Sequence, residues 1–177
     1  QQGDVEFAEK FGIPVNELRQ RIDKINTTLL EARSKRIRPG LDDKSLTSWN
    51  AMMIKGYCDA YEVLGTKAYL ERATGTMDLF LKKCKRPDGG LWHLYKDGKA
   101  SINGYLEDYS FMIEALTALY SITFDERWLN EARSLADYSI AHFHDAKTGT
   151  FHFTSDLDPA LIARPSELHD NVIPASN

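Results

Sequence analysis

Cysteine is scarce in this chain, and its scarcity excludes several classes at once. Only two of the 177 residues are cysteine, Cys58 and Cys84. Neither has a CxxC neighbour, so a redox pair, a zinc ribbon and a disulfide framework are all set aside. Both thiols fall in apolar helical patterns and read as buried and free. No apolar run approaches the roughly 18 residues that a membrane span requires. No charged leader followed by an apolar stretch opens the chain. There is no GxGxxG or P-loop, and no Ser-His-Asp or Cys-His arrangement can be argued. Basic charge is not in excess either. Lys and Arg number 22 against 26 Asp and Glu, for a net charge of -4 and a pI near 5.7. That balance argues against a phosphate-binding surface and hence against a nucleic-acid partner. The short basic run at 33–38 reads as a solvated helix face. The expectation is a cytoplasmic protein without a membrane partner. The chain opens on "QQGD" rather than methionine, so we expect it to be cut from something longer.

What is present is helix. Leu18, Ile22, Ile25 and Leu29 form a stripe at spacings of 4, 3 and 4, predicting a leading helix over about 14–36. "RIRPGLDD" breaks it. A second helix is expected from about 44 to 64, apolar around much of its circumference, and Gly65 is placed to stop it. A third, over about 67–85, has one apolar stripe and one charged face. "LWHLYKDGKASI" then reads as short strands around the turn pair Asp97-Gly98. The pattern recurs: a buried helix over about 106–122, an amphipathic helix over about 126–143, and a glycine turn with a strand-like tip in "DAKTGTFHFTSD".

This is an internal repeat of about 60 residues. A shift of 60 pairs Leu46 with Leu106, Trp49 with Tyr109 and Met52 with Met112. A shift of 59 pairs Leu70 with Leu129, Gly90 with Gly149 and His93 with His152. Units of this kind bury a continuous core by stacking on their neighbours. A buried inner helix alternating with an outer helix, with a β-like tip after each pair, predicts an all-α fold, a partial α/α toroid. A linear α-solenoid is the rival, but it has shorter units without the tip. A closed ring of six such hairpins needs about 360 residues. We therefore expect residues 1–177 to form one incomplete toroid segment: the leading helix, hairpins at about 44–85 and 106–143, and the start of a further unit at about 166–177.

Three stretches carry a family resemblance. "RIRPGLDDKSLTSWNAMMI", "GYLEDYSFMIEALTALY" and "DNVIPASN" resemble successive blocks of the family of spermatogenesis-associated protein 20 and its bacterial YyaL-type relatives. The resemblance runs from about Glu31 to Asn177. It implies a toroid of the six-hairpin glycosidase and sugar-epimerase type, fused in that family to a thioredoxin-like domain. No such domain and no later hairpins lie within this chain.

In such a toroid, loops at one end of the inner helices surround a funnel. Acidic and aromatic residues recur at these helix entrances. Asp42, Asp43, Glu107 and Asp108 are the candidate catalytic carboxylates. Trp49, Asn50, Tyr109, Asp170 and Asn171 are the candidate substrate-binding residues. Sugar hydrolysis uses two carboxyl groups about 5–9.5 Å apart, one to protonate the leaving oxygen and one to activate water or attack. Packed helices lie about 8–10 Å apart, so adjacent inner helices can supply such a pair. Aromatic rings stack on sugars and amides bind their hydroxyls. Helix capping competes with catalysis for the acids, which are favoured at N-termini by about 0.3–1 kcal/mol. Core packing competes for Trp49. His93 and His152 sit at matching tips, either as acid–base groups or as packing residues. His142 and His144, two apart, do not share a helix face, so no metal site is expected, and no cofactor. Two functions are in play: a sugar-active site of hydrolase or epimerase type in the full-length protein, or a non-catalytic helical scaffold binding a partner or the fused domain. The segment alone is expected to be inactive. Its terminal inner helices lack neighbours, so it is also expected to self-associate.

Overall fold

The computed structural model describes residues 3–159 and 162–177. The chain divides into two compact units, one ending at Asp42 and the other spanning Asp43–Asn177. The first contains α1 (Asp4–Lys10) and α2 (Val15–Ser34). Gly12, at φ +63°, turns the chain between them, and Ala8 and Leu18 are buried. A seven-residue helix is too short to cover a twenty-residue one, so Ile22, Ile25 and Leu29 stand exposed despite their regular stripe.

The second unit is built from two helical hairpins. The first is α3 (Thr47–Leu64) and α4 (Lys67–Cys84); the second is α5 (Leu106–Thr123) and α6 (Glu126–Phe143). α5 lies between α3 and α6, and α4 packs on α3. The inner helices α3 and α5 run parallel. Their N-termini are joined by a hydrogen bond between Ser48 and Asp108, and two turns on Lys55 lies in the field of Glu114. The core between the hairpins holds Ile54, Met77, Met112, Leu116, Trp128 and Leu135. Cys58 and Cys84 are buried free thiols, and burial pushes Cys58 up to about 11.

After each outer helix the chain forms a β tip. β2 (Trp92–Lys96) and β3 (Lys99–Asn103) make an antiparallel hairpin. Its turn residues Asp97 and Gly98 both have positive φ, the geometry that matches strand twist in a two-residue loop. β1 (Ser45–Leu46) adds to β2 just ahead of α3. The second tip is shorter, with β4 (His144–Asp145) paired to β5 (Thr150–Phe151). Gly90 is more than a turn residue. A Cβ there would lie 2.7 Å from the Tyr138 hydroxyl, so only glycine lets the loop pass under that ring.

The hairpins repeat with a single step. The helix starts Thr47 and Leu106, and the ends Leu64 and Thr123, are each 59 residues apart. The outer helices keep the same step, Lys67 to Glu126 and Cys84 to Phe143. The left-handed caps Gly65 and Phe124 fix it independently of where helix ends are drawn. The shift of 60 read for the inner helices is therefore corrected to 59. One residue is a rotation of about 100° on a helix. Trp49 is thus equivalent to Asp108, not to Tyr109, and Ser48 is equivalent to Glu107.

Candidate functional site

The polar centre of the second unit is Asp108, which is fully buried at the junction of the two inner helices. Its Oδ1 accepts the backbone N–H of Ser48 at 2.9 Å. Its Oδ2 accepts the backbone N–H of Tyr105, the residue ahead of α5, and bonds His93 Nδ1, each at 2.9 Å. One carboxylate thus caps both inner helices and ties the β2–β3 hairpin to them. Burial pushes the Asp108 carboxyl up, opposed by His93 and the two backbone donors. The hydrogen bond to Asp108 pushes His93 up as well. Both directions favour keeping a proton on the pair. Tyr105 packs edge-on against the His93 ring at 4.8 Å and stacks on Phe153 at 4.9 Å, which shields the imidazole.

Glu107 is the more available acid. It follows from the same helix start but points differently. It accepts the Ser48 hydroxyl at 3.2 Å, and burial followed by the charge of Asp108 pushes its carboxyl up. It lines a cleft of about 430 Å³ closed on the other side by the C-terminal segment, including Glu167, His169 and Asn171. Glu167 adds to the upward push on Glu107 through its charge. Two carboxylates therefore line one cleft.

The other candidate residues are distributed as follows. Asn171 lies in the same cleft as Glu107. Asp170 accepts the backbone N–H of Ala175 and holds the C-terminal turn. Asp43 pairs with Lys96 Nζ at 2.6 Å on the surface, which lowers its carboxyl. Asp42 is the last residue of the first unit. Asn50 donates its side-chain amide to the Leu46 carbonyl and finishes its own helix start. Trp49 is 60% exposed on α3. Tyr109 is corrected from sugar platform to core. It is fully buried, its ring is stacked on Tyr138 and tilted against Phe143, and its hydroxyl accepts the Leu91 N–H. No ligand ring can reach it. His152 bonds the Arg164 carbonyl and holds the chain rather than facing Asp108.

Glu167 was missed from sequence. A step of 59 from Asp108 lands on it, but the step of 60 and a slip toward Asp170 hid it. His93, Glu107 and Asp108 bring ligand atoms within 4.8 Å of one another, the one grouping among the described residues with metal-ligand potential. Both Asp108 oxygens are already satisfied by donors, so hydrogen bonding accounts for this cluster.

No protein-family model matches the chain. Human spermatogenesis-associated protein 20 is 29% identical over 184 residues, covering 96% of this chain and 23% of that protein. Protein B0495.5 of Caenorhabditis elegans is 30% identical over 182 residues, covering 98% and 24%. The chain therefore spans about a quarter of the length of these relatives. Among solved structures, a GH76 α-mannanase from Bacteroides thetaiotaomicron matches with TM-score 0.56 and 19% identity, over 67% of this chain and 32% of that one. Cellobiose 2-epimerase from Bacillus thermoamylovorans matches with TM-score 0.55 and 21% identity, over 62% and 29%. A D-mannose isomerase matches with TM-score 0.57 and 22% identity, over 62% and 30%. At these identities the likeness establishes the fold, and among the described residues no helix is long and apolar enough to cross a membrane. The chain is a distant homologue of spermatogenesis-associated protein 20 and carries part of a six-hairpin α/α toroid.

Proposed function

We propose that this segment forms one wall of a glycoside-hydrolysing funnel in a protein of its relatives' length. The observation that carries the reading is the cleft lined by both Glu107 and Glu167, with Glu107 pushed up by burial and by Asp108. A carboxyl kept protonated beyond its usual range is suited to protonating a leaving glycosidic oxygen. The second carboxylate is suited to activating water on the other side of the sugar ring. Asn171 supplies an amide for the hydroxyls. Asp108 and His93 position the helix start that carries Glu107 and do not touch the sugar. The solved structures that share the fold are named for action on mannan, cellobiose and mannose, and that agrees with a sugar ligand. The test is hydrolysis of a panel of nitrophenyl α- and β-glycosides by the protein at its relatives' length. Turnover is expected on at least one substrate, lost in Glu107→Gln and kept in Asp170→Asn. A panel without turnover would end this reading.

A second reading is favoured by the saturation of Asp108. Both oxygens of that carboxylate are engaged by helix ends and His93, as in a clamp. In that case the segment is a non-catalytic helical scaffold, and a silent panel selects it.

A further inference from the structure

Serines and threonines inside the helices of this protein return their hydroxyls to their own backbone. Thr74 donates to the Leu70 carbonyl, Ser110 to Leu106 and Ser139 to Leu135, each one turn back. This is the local bond that such side chains make within a helix. Ser48 is placed differently. It lies in the first turn of α3, where no helical turn precedes it. It is fully buried, and its two donors cross to α5. The backbone N–H goes to Asp108 Oδ1 at 2.9 Å and the hydroxyl to Glu107 Oε1 at 3.2 Å. One residue thus grips two adjacent acids of the neighbouring helix through separate groups. The repeat makes the choice of residue matter. Ser48 and Glu107 are the same position of successive units, 59 residues apart, and the fold brings them into contact. An acid at both would set two carboxylates side by side, and like charges that close disfavour ionisation of the pair. A serine puts a hydrogen-bond donor there instead.

We infer that Ser48 is a positioning residue for the candidate site: its hydroxyl holds the Glu107 carboxyl at the junction of α3 and α5, beside the cleft that Glu107 lines. The inference rests on the reading of Glu107 as the acid of that site. Ser48 is itself fully buried and acts through Glu107 alone. A donated hydrogen bond favours the ionised carboxylate, so it opposes the upward push from burial and from Asp108. The titratable groups around Glu107 are Asp108 on its own helix, His93 from β2, and Glu167 and His169 from the C-terminal segment. Ser48→Ala alters none of them, and it keeps the backbone N–H that holds Asp108. The substitution therefore isolates one hydrogen bond. That bond is long for an O–H donor. Its effect belongs at the low end for a bond to a charged group, about half to one pH unit.

The test is a carbon NMR titration of the glutamate side-chain carboxyls in this chain, whose 20.1 kDa suits the method. The signal missing in Glu107→Gln identifies Glu107. In Ser48→Ala its midpoint is expected to rise by about half to one pH unit. In Ser110→Ala, which removes a hydroxyl spent on its own helix, the midpoint is expected to stay. Ser48→Cys keeps the volume with a weaker donor and is read instead if Ser48→Ala loses helical signal, with a rise again expected. A midpoint that is unchanged or lower overturns the inference, and so does an equal rise in Ser110→Ala. The kinetic arm uses the protein at its relatives' length. There Ser48→Ala should move the alkaline limb of the glycoside pH profile up by the same amount, with KM unchanged. A risen midpoint without turnover in any form of the protein upholds the role of Ser48 and ends only the hydrolase reading. Turnover with an unmoved midpoint and an unmoved limb does the reverse.

Discussion

The two inner helices begin at equivalent places in the repeat and are finished by different means. α5 carries Glu107 and Asp108 in its first turn, and Asp108 reaches back to the Tyr105 N–H. α3 has no acid in its first turn and no side-chain cap at Leu46. Its unpaired Ser48 N–H is instead met by Asp108, 60 residues away. One buried carboxylate serves two helix N-termini, each of which has backbone donors to satisfy. The equivalent position on α3 is thereby released from capping and holds Trp49, which faces outward. The asymmetry places Glu107 and Asp108 on the second hairpin and leaves Trp49 exposed on the first.

The largest expected effect breaks this asymmetry at its centre. Asp108→Ala removes the acceptor for two backbone N–H groups and leaves His93 without its partner. Loss of one member of a buried pair with satisfied neighbours costs about 3–5 kcal/mol. The equivalent substitution on the first hairpin, Trp49→Ala, removes a side chain that is mostly in solvent and should cost within about 0.5 kcal/mol of nothing. Urea melts of the two variants measure the contrast. Equal losses would show that Trp49 is packed and that the hairpins are capped alike.

A second prediction uses pH. His93, Glu107 and Asp108 are all pushed up in the folded protein. For each, the native state holds protons that the unfolded chain has released, so stability falls as pH rises. The carboxyls contribute from the ordinary carboxylate range upward. The His93 contribution is complete below the unfolded imidazole value and is lost as pH rises through the folded one. The stability maximum is expected on the acidic side of neutrality. His93→Gln should flatten the fall above about pH 6.5, the unperturbed imidazole value. Melts across pH 5 to 9 (a window of about four units around that value) read the slope, and a slope unchanged in the variant would remove His93 from the account.

The helices, the repeat and the toroid are legible in the sequence because apolar spacing is a local signal. Leu70, Ala73, Met77 and Phe80 announce a one-sided helix wherever they occur. Local signals fail where the outcome depends on a contact across the repeat. Tyr109 next to two acids looks like a ligand platform until Tyr138 and the Gly90 loop are seen to close over it. Trp49 and Tyr109 are both aromatic and align at a step of 60, yet a single residue turns a helix by about 100° and sets Trp49 level with Asp108. Asp43 resembles a cap ahead of α3, but β1 intervenes and Lys96 takes its carboxylate. Glu107 was legible as a candidate and Glu167 only through the corrected step. The shared capping by Asp108 had no local signal, since its partner Ser48 is unremarkable in sequence.

The smallest expected effect compares the two hairpin turns. Gly65 and Phe124 both end an inner helix in the left-handed conformation, at φ 65° and 54°. Each donates its backbone N–H to the carbonyl four residues before, Tyr61 and Tyr120, at 2.8 Å. The hydrogen bonding is the same, so the residues differ in the cost of the conformation. Glycine adopts it freely, whereas a residue with a Cβ is strained there by about 1–2 kcal/mol. The Phe124 ring recovers little of that, being 78% exposed with only an edge contact to Tyr120 at 6.3 Å between centroids. Phe124→Gly is therefore expected to stabilise the second unit, less the entropy that glycine adds to the unfolded chain, for a net gain of up to about 1 kcal/mol. Gly65→Ala should destabilise it by about 1 kcal/mol, because the strain enters without any compensating contact. Thermal melts should move a few degrees in opposite directions for the two variants. A loss of stability in Phe124→Gly would mean that the ring contributes more to the hairpin turn than the strained backbone removes, and that the two turns are held by different forces.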